Sequence, residues 1–279
     1  MQTVVVTGAS TGIGRGCAAV LIENGFRVFG SVRSPADAER LVADLGATPI
    51  VFDVTDAARV KAAAAEVASA LGGESLLGLV NNAGIAVVGP LLHVDIDEFR
   101  RQLDVNVTGQ LIVTQAFAPL LRQSPAGKPG RIVMISSVGG KNASPFVGPY
   151  CASKFALEGL SESLRRELML LEIDVVVVAP GAVATPIWDK AEQVDVSRYA
   201  NTPYAKPLAA VRDYMLANGR KGLDPEQIGR AVWHALTAPT PKTRYVVTPD
   251  PVQNFLANTL PKRMVDWMIA RRLGLLPRS

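Results

Sequence analysis

Two cysteines, two histidines and three tryptophans among 279 residues leave several functions without raw material. Cys17 and Cys151 each fall inside a helical pattern, so they read as free thiols of a reducing compartment, not a disulfide framework. His93 and His234 lie far apart and lack ligand spacing, so no metal centre is expected and each reads as a helix-edge residue. Charged residues make up only 19 % and the net charge of +4 is spread along the chain. Ahead of the C-terminal tail that leaves no basic patch for nucleic acid. No uninterrupted apolar run reaches the ~18–20 residues of a membrane span. Met1 stands two residues ahead of the first strand pattern, with no room for a signal peptide. A cytoplasmic protein is expected. What the chain has in quantity is apolar residues, 48 %, enough for a large core.

The β-branched run Thr3–Thr7 fits a strand buried on both faces. It feeds into Gly8-Ala9-Ser10-Thr11-Gly12-Ile13-Gly14, then a helix pattern from Arg15 to about Asn24. A glycine turn between such a strand and a helix is a dinucleotide-binding signature, with the pyrophosphate meeting the open helix start. A second strand, Arg27 to Val32, ends at Arg33 with no acid beside it, and Asp37 and Glu39 come later. An arginine at that place suits a 2′-phosphate, which favours NADP(H) over NAD(H). A short strand at Pro49–Asp53 follows, then a helix from about Asp56 to Leu71. Asp53 could accept from an adenine amino group or serve as a helix N-terminal acid. Strand Leu76–Val80 leads into Asn81-Asn82-Ala83-Gly84, a small-residue floor with Asn81 tying neighbouring strands together. The helix expected from Asp95 to Arg122 carries Asn106 and Gly109, both poor helix formers. A break there would expose Asn106's backbone or its amide. A loop from Ser124 to Gly130 returns the chain to the next strand.

That strand, Ile132–Ile135, ends in Ser136-Ser137, and a helix restarts at Tyr150. Tyr150 and Lys154 share a helix face, with Cβ atoms roughly 5–6 Å apart. At an effective dielectric near 20, the ammonium favours the phenolate by roughly 3 kcal/mol. That would bring a phenol from about 10 to around 8, where it can give and take a proton. Ser137, at the tip of the strand, could hold a substrate oxygen beside it.

TGASTGIG, NNAG, Asn106, Ser137 and Tyr150-x-x-x-Lys154 together resemble the short-chain dehydrogenase/reductase family over residues 1 to about 250. The interval of 13 from Ser137 to Tyr150 is usual there and selects Ser137 over Ser136. The resemblance implies a Rossmann-type doubly wound α/β fold, a seven-stranded parallel sheet in the order 3-2-1-4-5-6-7. It implies Asn106, Ser137, Tyr150 and Lys154 as the catalytic set, with Asn106 holding a water that links Lys154 to solvent. For the cofactor it implies Gly8, Ser10, Thr11, Gly12, Ile13, Gly14, Arg33, Asp53, Val54, Asn81, Ala83, Gly84, Tyr150, Lys154, Pro180, Gly181, Val183 and Thr185. It also implies a homodimer or homotetramer.

Residues 186–222, with Trp188, Tyr199, Tyr204 and Tyr214, read as a helical lid over a lipophilic substrate. Asp224-Pro225-Glu226 starts a helix to about Leu236, and Arg244–Thr248 is the last strand. Residues 251–279 form a helical extension beyond a 1–250 catalytic domain. From Leu260 its apolar residues alternate with Lys262, Arg263, Arg271, Arg272 and Arg278. It would pack on the lid or a second subunit, or lie on a membrane surface. The tail and the RYVVTP strand loosely resemble retinol and 17β-hydroxysteroid dehydrogenases, which implies a hydrophobic alcohol or ketone as substrate. The competing class is an NADP(H)-sensing regulator without turnover, which has no need of the Ser137–Tyr150–Lys154 set.

Overall fold

Each β-branched run becomes a strand in the computed structural model, which describes residues 1–122, 129–193 and 195–276. The strands are β1 (Thr3–Val6), β2 (Arg27–Val32), β3 (Thr48–Val51), β4 (Gly78–Asn81), β5 (Arg131–Ile135), β6 (Val175–Pro180) and β7 (Arg244–Val247). They form one all-parallel sheet in the order β3-β2-β1-β4-β5-β6-β7, the order the family resemblance implies. Val4, Val5, Val6, Leu79, Val80, Ile132 and Val133 are wholly buried. Helices cover both faces, which is why these runs show no polar alternation.

One face carries α1 (Gly12–Glu23), α2 (Pro35–Leu45) and α9 (Pro225–Thr237), which bury Leu21, Leu41, Ile228 and Val232. The other carries α3 (Ala57–Leu71), α5 (Gly109–Phe117) and α6 (Gly148–Glu167), which bury Val60, Val67, Phe117 and Leu157. Helix α4 (Ile96–Leu103) runs into α5 without a break. Where the sequence predicts an interruption around Asn106, residues Asp104–Thr108 make one wider π turn inside a continuous helix. Such a turn accommodates poor helix formers without giving up the backbone ladder. Helix α1 starts at Gly12, earlier than the expected Arg15, because the end of the glycine turn is already helical. Most of the loop expected from Ser124 to Gly130 lies outside the described residues, as does Arg278.

Beyond β6 come α7 (Ile187–Glu192) and α8 (Ala205–Arg220). The Trp188 indole donates to the Val183 carbonyl at 2.7 Å and packs flat on Gly219, tying α7 to α8 and to the loop after β6. The tail makes two helices, α10 (Pro251–Thr259) and α11 (Lys262–Leu273). Val265 is buried, and Leu273 and Leu275 pack against Tyr199, Leu208 and Val211. The Arg272 guanidinium lies 4.4 Å from the Tyr214 ring centroid, so α11 docks on α8. Among the described residues no helix is long and apolar enough to cross a membrane.

Candidate active site

β1 is flanked by β2 on one side and β4 on the other, so the chain reverses its direction of winding there. Open α/β sheets bind ligands at such a switch point, beyond the carboxyl ends of the strands. The glycine turn sits at that end. Gly8 and Gly12 have φ of +66° and +56°, values that favour glycine. A Cβ on Gly14 would run into the Gly8 carbonyl and the Asn82 amide. Thr11 precedes α1 but its side chain caps nothing, and the first turn holds no acid. Helices α2, α3, α4 and α9, by contrast, are capped by Ser34, Asp56, Asp95 and Asp224. The start of α1 thus keeps N–H groups free for an anion, which fits a dinucleotide pyrophosphate.

A groove of about 450 Å³ borders this turn, lined among others by Ser10, Thr11, Gly12, Arg15 and Arg40. Ile13 is half-buried against the core, and Thr185 folds back onto Gly12 from the loop after β6. Gly14→Ala is expected to cost roughly 1–3 kcal/mol of stability, because the nearest opposing atom is the Gly8 backbone carbonyl, which cannot yield. The same change should weaken dinucleotide binding. Thermal melting and an NADPH fluorescence titration check both.

The small-residue floor is held on one side as expected. Asn81 is buried and donates to the Thr114 hydroxyl at 2.8 Å and the Met134 sulfur at 3.3 Å, tying β4 to α5 and β5. The tie to β1 belongs to Asn82 and Thr7, which sequence reasoning missed. Asn82 donates its side-chain amide to the Thr7 carbonyl at 2.8 Å. The Thr7 hydroxyl accepts from the backbone N–H of Asn82 at 2.9 Å and of Ala83 at 3.0 Å. The available signal was the second asparagine of the pair and a threonine closing the first strand run.

Asn106 is buried in the π turn. Its side-chain oxygen accepts from Ile85 N–H at 2.8 Å, and its amide donates to the Ile85 carbonyl and the Ser153 hydroxyl, both at 3.0 Å. The amide is therefore spent on holding the segment after Gly84, leaving the backbone as the group available for other work. Gln102, one turn earlier, grips the same segment through Ile85 and Val87.

Ser137 lies just past the end of β5 and Tyr150 in the first turn of α6, so one loop brings them together. Ser137 is buried, accepts from Gly139 N–H at 3.0 Å and donates to the Pro180 carbonyl at 3.5 Å, with its hydroxyl near enough to the Tyr150 phenol to favour the phenolate. Lys154 is buried, with its amine donating to the Ile135 carbonyl at 2.8 Å and standing 5.8 Å from the Tyr150 ring centroid. This corrects the expected electrostatics. Burial pushes the phenol above its ordinary value, opposed by the Ser137 hydroxyl, and Lys154 contributes nothing resolved to it. Lys154 itself is brought down to about 8, chiefly by burial, with Glu158 pulling the other way. The amine is engaged by the Ile135 carbonyl of the neighbouring strand, and burial disfavours charge on both groups.

Arg33 is exposed at the end of β2, where its charge reaches Asp37 and Asp53. Asp37 is held low first by the Ser34 hydroxyl and then by Arg40, so it is engaged within α2's own first turn. Asp53 accepts from the Thr55 N–H at 2.9 Å and hydroxyl at 2.7 Å, while the acid that caps α3 is Asp56. Val54 is buried beside it. At the far side Gly181 N–H donates to Val247 at 2.8 Å and Val183 is buried, which fixes the loop after Pro180. His93 meets Tyr204 edge to face with ring centroids 5.9 Å apart, and His234 meets Tyr245 in the same way at 5.7 Å.

Comparison with known proteins agrees with this arrangement. The short chain dehydrogenase family model matches residues 2–195. The NADPH-dependent 3-dehydrocapnine reductase of Ornithobacterium rhinotracheale is 38 % identical over 283 residues, covering all of both chains. Mouse (Mus musculus) retinol dehydrogenase 5 is 36 % identical, over 96 % of this chain and 89 % of the relative. The crystal structure of a short-chain dehydrogenase from Streptomyces avermitilis superposes with a TM-score of 0.75 at 28 % identity, over 98 % of this chain and 97 % of that one. The chain belongs to the short-chain dehydrogenase family of oxidoreductases.

Proposed function

We propose that the crevice transfers hydride between NADP(H) and a secondary alcohol or carbonyl on a lipophilic substrate. The observation that carries this is the gathering of Ser137, just past β5, and Tyr150, in the first turn of α6, at the carboxyl end of the sheet, with buried Lys154 one turn further along α6. When bound, the nicotinamide supplies or takes the hydride. Gly8 to Gly14 would hold its pyrophosphate, and Asp53 and Val54 the adenine. Asn81, Ala83 and Gly84 would form the floor, and the loop from Pro180 to Thr185 would lie on the nicotinamide side.

Ser137 orients the substrate oxygen. Tyr150 gives it a proton in reduction and takes one in oxidation. In the free protein burial keeps the proton on the phenol at neutral pH, the state a donor needs. Lys154 holds positive charge beneath the site, and the Asn106 backbone would hold a water beside it. The name of the capnine reductase relative supports NADPH, and that of the retinol dehydrogenase supports a hydrophobic alcohol. An apolar wall of Val88, Phe146 and Tyr204 next to the Tyr150 loop supports the same substrate class. Helices α7 and α8 would form the lid. The intact Ser137–Tyr150–Lys154 set favours this reading over a sensing role without turnover.

NADPH oxidation should be measured with a panel of steroids, retinoids and aliphatic ketones, and repeated with NADH. Turnover of a ketone or aldehyde with a preference for NADPH is expected; a preference for NADH rejects the cofactor assignment. Arg33→Ala should lower kcat/KM for NADPH by roughly 10–100-fold, the worth of a charged hydrogen bond, and leave that for NADH in place. The expected homodimer or homotetramer would pair through α6 and the helix before it, whereas the expected membrane contact would use the C-terminal helix. Helix α11 exposes Met264, Trp267 and Met268 beside Lys262, Arg263 and Arg271. Light scattering with and without anionic vesicles separates the two.

A further inference from the structure

Beneath Lys154 lies an ion pair that the reaction does not use directly. Glu158 follows Lys154 by one helical turn, is 8 % exposed, and receives Arg244 Nε at 3.1 Å from both carboxylate oxygens. Arg244 comes from β7, on the edge of the sheet, and is itself three-quarters buried. Its Nη2 stands 3.5 Å from the Ser137 carbonyl oxygen. The loop after Ser137 is pressed flat onto the same stretch of α6. A Cβ on Gly140 would lie 3.0 Å from Glu158 Cγ and 3.1 Å from the Lys154 carbonyl. One guanidinium therefore touches both the loop that carries Ser137 and the carboxylate next to Lys154.

We propose that Arg244 and Glu158 are positioning residues of this site: together they clamp β7 and the Ser137 loop to α6 and set the charge felt by Lys154. The inference rests on the reading of Ser137, Tyr150 and Lys154 as the reacting set. A buried carboxylate with no partner is costly, so the pair is retained as a unit. While Arg244 is present, most of Glu158's field is directed at the guanidinium. Without it, that field falls on Lys154, one helical turn away on α6, and on exposed Lys141, which follows the Val138–Gly140 turn and lines one groove with Arg244.

The other elements packed on α6 add little charge. The turn at Val138–Gly140 and β6 carry no ionisable side chain. On α4 and the π turn, Asp97, Arg100, Arg101 and Asp104 are exposed, and half-buried Glu98 is paired with Arg198 at 2.8 Å. On α6 itself the neighbours are Tyr150 and the thiol of Cys151, which burial keeps protonated.

The test follows the 13Cε resonance of Lys154 against pH in free protein labelled at lysine, for wild type, Glu158→Gln, Arg244→Met and Arg244→Lys. Glu158→Gln removes an anion, so the lysine should titrate about one pH unit lower than in wild type. Arg244→Met leaves the anion facing Lys154, so the lysine should titrate higher. Arg244→Lys should return it towards wild type. Where a substrate has been found, Glu158→Gln and Arg244→Met should each lower kcat by about tenfold with less change in KM, as expected for lost positioning.

Shifts in the same direction for Glu158→Gln and Arg244→Met, or no shift in either, would overturn the proposal. Folding is followed by near-ultraviolet circular dichroism. If Arg244→Met does not fold, an unshifted titration in Glu158→Gln overturns it alone. Absence of any turnover in wild type counts against the proposed function, while the lysine titration still judges the clamp.

Discussion

Lys154→Met should cost two to three orders of magnitude in turnover while leaving the protein as stable as wild type, or more so, at pH 7. Loss of a preorganised charge from a closed site is worth about 10²–10³ in rate. The stability side follows from burial. The folded state brings Lys154 from 10.5 down to about 8, below its unfolded value. Between those values the unfolded chain binds more protons, so wild-type stability should rise with pH from about 8 towards 10.5. Below about 8 the full penalty of roughly 3 kcal/mol is present. Methionine removes that penalty and gives up the hydrogen bond to the Ile135 carbonyl, a loss of about 1–3 kcal/mol. Urea unfolding at pH 7 and pH 9.5 checks both parts: the advantage of the variant should shrink at the higher pH. A variant less stable than wild type at pH 7 that keeps its turnover would contradict both halves.

The fold was legible because buried parallel strands write themselves as short, mostly apolar runs, β-branched throughout in β1 and nearly so in β6, and these alternate with helical patterns. The glycine turn was legible for a steric reason: a strand, a backbone that must approach itself at Gly14, and a helix start leave few residue choices. What could not be read was anything decided by side-chain direction at close range. Spacing correctly put Tyr150 and Lys154 on one helix face, but which atom the ammonium approaches depends on the Ile135 carbonyl opposite, supplied by another strand. Asn106 was found as a poor helix former. That its amide would be consumed by Ile85 and Ser153 depends on a π turn, which leaves no periodic trace in sequence. Arg244 looked like an ordinary strand residue, because its partner Glu158 is 86 positions away. The amphipathic stretch expected from Leu260 is helix α11, and a second helix, α10, precedes it at Pro251–Thr259.

Tyr150→Phe removes a single oxygen. Phenylalanine fills the same half-buried space, and Ser137 still accepts from Gly139, so the loop and the helix should keep their places. NADPH affinity should be unchanged, because the groups that fit the pyrophosphate belong to the glycine turn. Only the proton donor is gone, and a positioned general acid is worth about 10²–10⁴ in rate. Lys154, the other proton carrier beside the site, is turned to the Ile135 carbonyl and does not take the phenol's place. The direct measurement is a single-turnover reduction of a lipophilic ketone by NADPH-saturated wild type and Tyr150→Phe, with cofactor affinity titrated in parallel. The account predicts equal affinity and a rate lower by two or more orders of magnitude in the variant; equal rates would contradict it.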